Sequence, residues 1–337
     1  MSAPARLPLA HLPTPIERSD ALDALLGVRT FVKRDDLTGG DGGGNKLRKL
    51  EFLMAEAKRI GATTVLTCGA KQSNHARATA SAAARLGMKA VLLLWTREAS
   101  TGPEKAAPAD ALSVKGNQLL DRLLGAEIRL ISLAEYKERN THLAAQAASL
   151  RARGETPFVI PEGGSNGLGS LGYVAAMDEL RTQLGESPPF DEIVVACGSG
   201  GTAAGVALGA SKYGVATKVR AVCVCDDAAY FSAVARRIVD EARALDPSLV
   251  EPVPIHFDEH ARGPRYGTMS TEQLSFLRDV ARRTGYVTDP VYTGKALHGL
   301  AQAVKRGELS PKARVLFIHT GGLPGLLAQG PELSDVL

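Results

Sequence analysis

The stretch Thr38-Gly39-Gly40-Asp41-Gly42-Gly43-Gly44-Asn45-Lys46-Leu47-Arg48-Lys49 sets five glycines ahead of a lysine at the mouth of a helix. Beyond it Leu47, Leu50, Leu53, Met54 and Ala57 recur at helical spacing, so Lys46 falls in the first turn. Glycines in such a place allow positive φ and a close approach of backbone to ligand. A lysine held there can form a Schiff base with an aldehyde cofactor once partial burial lowers its pKa. A supple surface loop before a basic helix start accounts for the same residues, so the segment alone leaves both readings open.

Around this segment, strand-like and Ala-rich helical stretches alternate. Strands are expected at 30–33, 64–67, 90–94, 127–130, 158–160, 192–196, 219–224 and 314–318, with helices such as 76–86 and 202–213 between them. This is the βαβ pattern of parallel sheets covered on both faces. So many strands at this spacing suit two α/β units better than one, with a junction near the turn cluster Pro161-Glu162-Gly163-Gly164-Ser165-Asn166-Gly167. Residues 97–115, rich in Gly, Pro and Ala, read as a long loop or lid-like excursion.

Ligands of such folds bind beyond the carboxyl ends of strands, where loops lead into helices. Two further loops of that kind carry chemistry. Cys68-Gly69-Ala70-Lys71-Gln72-Ser73-Asn74-His75 opens a helix, and Ser73 or Asn74 is placed to cap it. The same run offers amides, a hydroxyl and an imidazole to a polar or anionic ligand. Cys197-Gly198-Ser199-Gly200-Gly201-Thr202 joins an apolar strand to an Ala-rich helix, and its amides suit a phosphate monoester. It lacks the Gly-Lys-Ser/Thr ending of a P-loop. Gly198-x-Gly200-x-x-Ala203 also fits a loose dinucleotide fingerprint, with Asp226 and Asp227 after the next strand, so an NAD-dependent oxidoreductase is a rival reading.

Composition narrows the classes. The net charge is +4 and dispersed over 337 residues, too mild for nucleic-acid binding. No segment is long and apolar enough to span a bilayer and the N-terminus carries no signal-like run, so a cytoplasmic protein is expected. Cys68, Cys197, Cys223 and Cys225 lack metal-ligand spacing, so buried free thiols and no metal are expected.

Later motifs complete the pattern: Arg262-Gly263-Pro264-Arg265-Tyr266-Gly267, Asp289-Pro290-Val291-Tyr292-Thr293-Gly294-Lys295 and His319-Thr320-Gly321-Gly322. With Lys33-Arg34-Asp35-Asp36, Gly44-Asn45-Lys46-Leu47-Arg48-Lys49-Leu50-Glu51, Gln72-Ser73-Asn74-His75 and Pro161-x-Gly163-Gly164-Ser165, they are distributed over almost the whole chain. The set resembles the pyridoxal 5'-phosphate (PLP)-dependent family that contains D-cysteine desulfhydrase and 1-aminocyclopropane-1-carboxylate deaminase.

The resemblance implies a two-domain α/β PLP fold of type II (tryptophan synthase β-like), with twisted, mostly parallel sheets covered by helices. Residues 1–50 plus 165–337 would form the larger, cofactor-binding domain and 51–164 the smaller one. By likeness Lys46 is the Schiff-base lysine and Asn74 meets the ring hydroxyl. Gly198, Ser199, Gly200, Gly201 and Thr202 hold the phosphate, and Thr320 faces the cofactor. Ser73, Asn74, His75, Tyr266, Tyr292 and Thr293 would meet the substrate, with Ser73, Tyr266 and Tyr292 also catalytic.

By the same resemblance, the deaminases carry Glu at the position of Thr293 and Leu at that of Thr320, so the pair here reads as desulfhydrase-like. A carboxylate near the pyridine nitrogen would keep it protonated, whereas a hydroxyl leaves it nearer neutral, adequate for a good leaving group. The implied activity is α,β-elimination of a 3-substituted alanine to pyruvate, ammonia and the leaving group, with D-cysteine as first choice. L-cysteate or another β-eliminated substrate, then the cyclopropane amino acid, stand as alternatives. Arg265 departs from the family pattern and would either pair with a second anionic substrate group or point to solvent. A small amino-acid substrate and a homodimer are expected.

Overall fold

Ten strands divide into two sheets in the computed structural model, which describes residues 4–39, 42–96 and 115–336. The first has six strands: β1 (Ile16–Arg18), β2 (Arg29–Lys33), β7 (Glu192–Cys197), β8 (Val219–Cys223), β9 (Ile255–Asp258) and β10 (Arg314–Ile318). Their order is β1-β2-β10-β7-β8-β9; β1 runs antiparallel to β2, and every other pairing is parallel. The second holds β3 (Thr64–Ala70), β4 (Lys89–Trp95), β5 (Glu127–Ile131) and β6 (Pro157–Val159) in the order β5-β4-β3-β6, all parallel.

Central strand β7 is buried along its whole length, which is why its sequence reads as a continuous apolar run rather than an alternation. Fully burying Ile193, Val194 and Val195 contributes about 1.5–3 kcal/mol each. Helices Gly167–Leu184 and Gly201–Tyr213 pack against each other at close range, for a Cβ on Gly205 would stand 2.3 Å from the Ser170 carbonyl oxygen. All eight expected strands form, with ends shifted by up to three residues. Strands β1 and β9 were not expected. Both are sheet edges of three or four residues (Ile-Glu-Arg and Ile-His-Phe-Asp), too short for a periodic signal. Residues 97–114 of the expected excursion lie outside the described residues.

Register brings the functional loops together. Lys33 of β2 pairs with Ile318 of β10, so the two strand ends deliver the glycine loop and Thr320 to one place. There the Asn45 amide donates to the Thr320 carbonyl at 3.2 Å. Cys197 pairs with Cys223, which sets Gly198 beside the chain leaving β8.

The helix Lys46–Arg59 continues unbroken past the expected boundary at residue 50 and is anchored through its first turn. Arg48 donates to both oxygens of Asp35 (2.9 and 2.8 Å) and both of Glu179 (2.9 and 3.0 Å), while the Tyr173 hydroxyl donates to Asp35 at 2.6 Å. Lys33 completes the cluster through Glu179. Burial pushes the Asp35 carboxyl up, but the charge and hydrogen bonds of Arg48, with that of Tyr173, outweigh it and hold the group below the usual carboxylate range.

Candidate active site

The glycine loop turns through φ values of +100°, +56° and +109° at Gly42, Gly43 and Gly44. A Cβ at Gly43 would stand 2.1 Å from the Asp36 carbonyl oxygen, so the turn demands glycine on both conformational and steric grounds. It ends at Asn45, and Lys46 is the first helical residue, as its spacing predicts. Lys46 is half-buried and lines a cavity of about 520 Å³ between the two sheets' loop ends. Its Nζ donates to Asn45 Oδ1 at 3.0 Å and lies 5.9 Å from the Tyr292 ring centroid. Burial, then the positive charge of Arg77, lowers its pKa to about 8 against partial opposition from Asp289 and Glu162. A substantial fraction of the amine is thus neutral and nucleophilic near physiological pH.

At the second loop Ser73 caps the helix Asn74–Arg85, its Oγ accepting from the Ala76 amide at 3.1 Å. The amides of Asn74 and His75 find no backbone acceptor among the described residues and are available to an anion. Capping by the Ser73 side chain therefore leaves these two amides open. Asn74 lines the cavity. The His75 imidazole turns back to Thr67, 2.8 Å away, and burial followed by the charges of Lys46 and Lys49 keeps it neutral.

The third loop supplies an anion cradle. Gly200 has φ +78°, and the amides of Gly200, Thr202 and Ala203 make no backbone hydrogen bond among the described residues, whereas Gly201 N–H is engaged by the Ser199 carbonyl at 3.0 Å. Thr202 Oγ1 accepts from Asn45 Nδ2 at 3.1 Å, tying this loop to the lysine loop. Beneath them lies Lys49, three residues after Lys46 and thus on the same helix face. Among the described residues its Nζ meets only the Gly163 carbonyl (3.1 Å) and Ser165 Oγ (3.0 Å), and Ser165 Oγ in turn lies 2.9 Å from Ser199 Oγ. Burial, and then the Lys46 charge, drives its pKa well below the ordinary lysine value. A buried amine facing hydroxyls and open amides, with no carboxylate reaching it among the described residues, fits a dianionic phosphate monoester as counter-charge.

Across the cavity Tyr266 and Tyr292 share one hydrogen bond, hydroxyl to hydroxyl at 2.7 Å, with rings edge to face. Burial raises both phenols above their ordinary pKa, so both are neutral and one proton of the pair is free to be donated. Tyr292 is aimed by Asp289, whose carboxylate accepts from the amides of Val291, Tyr292 and Thr293. Thr320 lines the cavity; Thr293 is fully buried behind it, its hydroxyl donating to Asp289 at 2.6 Å. Gly201 also lies outside the wall. Arg265 is exposed and does not line the cavity.

Several residues of this site went unnoticed in the sequence. Lys49 was discoverable from its i+3 spacing to Lys46. Trp95, 6.3 Å from the Tyr266 ring, and Tyr136, which donates to Glu162 at 2.5 Å, carry no local signal. Of the two acids that suggested a dinucleotide, Asp227 is engaged in capping the helix Ala228–Leu245, accepting from Tyr230 N at 2.8 Å.

The chain is similar over almost its whole length to known proteins of one family. The family described as pyridoxal-phosphate dependent enzyme matches residues 7–321. The chain is 42% identical over 335 residues to the mitochondrial bifunctional D-cysteine desulfhydrase/1-aminocyclopropane-1-carboxylate deaminase of Arabidopsis thaliana, covering 98% of this chain and 81% of that one. It is 39% identical to the D-cysteine desulfhydrase of Yersinia pestis, covering 97% of each. The crystal structure of an ACC deaminase homologue superposes with a TM-score of 0.87 at 36% identity, covering 99% of this chain and 96% of that one. The lysine loop, the anion cradle and the tyrosine pair thus belong to a fold type II member of the pyridoxal-phosphate-dependent enzyme family.

Proposed function

We propose that this enzyme eliminates the β-substituent of a 3-substituted alanine, with D-cysteine as substrate and pyruvate, ammonia and sulfide as products. The observation that carries the reading is the pairing, within one cavity, of a lysine amine of pKa about 8 with a neutral Tyr266–Tyr292 proton donor. PLP bound there supplies an electron sink that acidifies the α-C–H of the amino acid. Lys46 would be the attachment residue, and its amine is placed to take the α-proton. Asn74 would meet the ring oxygen; Lys49, Ser199 and the open amides of Gly200, Thr202 and Ala203 would hold the phosphate. Ser73, with the Asn74 and His75 amides, receives the substrate carboxylate. The tyrosine pair protonates the departing thiolate.

Thr293 and Thr320 support desulfhydration over ring opening, because neither position carries a carboxylate or an aliphatic wall. We extend the reading to a cytoplasmic homodimer on the family resemblance; among the described residues no helix is long and apolar enough to cross a membrane. The test is pyruvate release across D-cysteine, L-cysteate, D-serine and β-chloro-D-alanine, beside 2-oxobutyrate from the cyclopropane amino acid. Dominant 2-oxobutyrate formation overturns the desulfhydrase reading. Lys46→Ala should fold, fail to develop the yellow colour of attached PLP and lose turnover; retained activity removes Lys46 from its role.

A further inference from the structure

Asn117, in the first turn of the helix Gly116–Leu123, is fully buried and makes hydrogen bonds through every polar atom of its side chain. Its Oδ1 accepts from Arg77 Nε at 3.1 Å. Its Nδ2 donates to Asn74 Oδ1 at 2.9 Å and to the Gln72 carbonyl at 3.0 Å, and its backbone amide donates to Gln72 Oε1 at 2.8 Å. Arg77, equally buried, also donates from Nη2 to the Gly43 carbonyl at 3.0 Å, within the loop that delivers Lys46.

The polarity of this chain of contacts has one solution. A guanidinium only donates, so the oxygen of the Asn117 amide must face Arg77. Its nitrogen must then face Gln72 and Asn74. The Gln72 carbonyl only accepts, which agrees. Asn74 is therefore obliged to present its oxygen to Asn117, and its own amide nitrogen is left for the cavity that Asn74 lines. Among the described residues that nitrogen has no hydrogen-bond partner.

We infer that Asn117, aligned by Arg77, is a positioning residue that locks the Asn74 amide with its NH₂ toward the cofactor's ring oxygen. The inference rests on the proposed contact of Asn74 with that oxygen. Without the lock, the Asn74 amide could turn over and set an oxygen against the ring oxygen, replacing attraction by repulsion. The lock originates in the small sheet's helices and is tied to the Gly43 loop, so one network orients both the attachment loop and the ring contact.

The experiment measures the affinity of the apo protein for PLP and for 3-deoxypyridoxal 5'-phosphate, which carries hydrogen in place of the ring hydroxyl. In Asn117→Asp one carboxylate oxygen keeps the Arg77 bond while the other presents an acceptor to Asn74, which must flip. The wild type should prefer PLP over the deoxy compound. Asn117→Asp should lose about 10- to 100-fold of that preference, the value of one hydrogen bond to a charged group. Asn117→Leu, which leaves the Asn74 amide unoriented, should lose part of it and serves where the Asp variant does not fold. Equal weakening of both ligands, or of neither, in the variants would reduce Asn117 to a structural residue and overturn the inference. A wild type that does not distinguish the two ligands would instead remove the Asn74 contact on which it rests.

Discussion

Replacing Arg48 by Met keeps an unbranched apolar stem in its buried place and deletes the guanidinium that anchors the Lys46 helix. Five hydrogen bonds disappear, to Asp35, Glu179 and the Thr14 hydroxyl. Glu179 retains Lys33, but Asp35, fully buried, is left with the Thr14 and Tyr173 hydroxyls. Breaking a buried pair by removing one partner costs about 3–5 kcal/mol. With an unfolding entropy of about 2.1 cal/mol/K per residue over 337 residues, this lowers Tm by about 4–7 °C.

The pH dependence sharpens the test. In the wild type the Asp35 pKa is depressed, so its contribution is present above the unfolded value and lost as pH falls through the folded one. In Arg48→Met the effect of burial is no longer opposed by Arg48, the folded pKa rises above the unfolded one, and stability falls as pH climbs through that interval. The gap between the two proteins should therefore be wide near about pH 7 and narrow toward about pH 4. Differential scanning calorimetry over that range reads it directly. A shift below about 1 °C, or a gap that does not change with pH, would refute the argument that Asp35 is a buried charge held by Arg48. Adding Asp35→Asn to Arg48→Met should recover part of the loss, because no uncompensated charge remains.

Three other outcomes are expected. The rate at which apo protein attaches PLP should rise with pH through about 8 and then level, because the neutral Lys46 amine reacts; a midpoint near the ordinary lysine value of 10.5 would contradict the buried, Arg77-flanked amine. Tyr292→Phe should lower kcat about 100-fold or more with a smaller change in KM, and combining it with Tyr266→Phe should cost less than the product of the single effects, since the pair shares one proton. Additive losses would separate the two roles. Gly201→Ala would set a Cβ 2.8 Å from Lys49 Nζ and 2.7 Å from Ser165 Oγ, and PLP titration should show about 10-fold or greater weakening; unchanged affinity would move the phosphate elsewhere.

What the sequence determined by itself is local. A glycine run into Lys46, an apolar strand into Gly198–Thr202, and a cap at Ser73 each declare themselves within a dozen residues, because positive φ, strand burial and helix starts are set by near neighbours. Those segments, in order along the chain, were enough to point to the fold and the cofactor. The tertiary structure decided which of them meet and in what polarity. Strand order brings Thr202 to Asn45 across 157 residues and Ser165 to Lys49 across 116. It also turns the Thr293 hydroxyl onto Asp289 rather than into the cavity, and places Asn117 against Asn74. The edge strands β1 and β9 exist because a neighbouring strand offers them hydrogen bonds, not because their own few residues prefer to be extended. Contacts of this reach depend on sheet register and helix docking, which no short window of residues encodes.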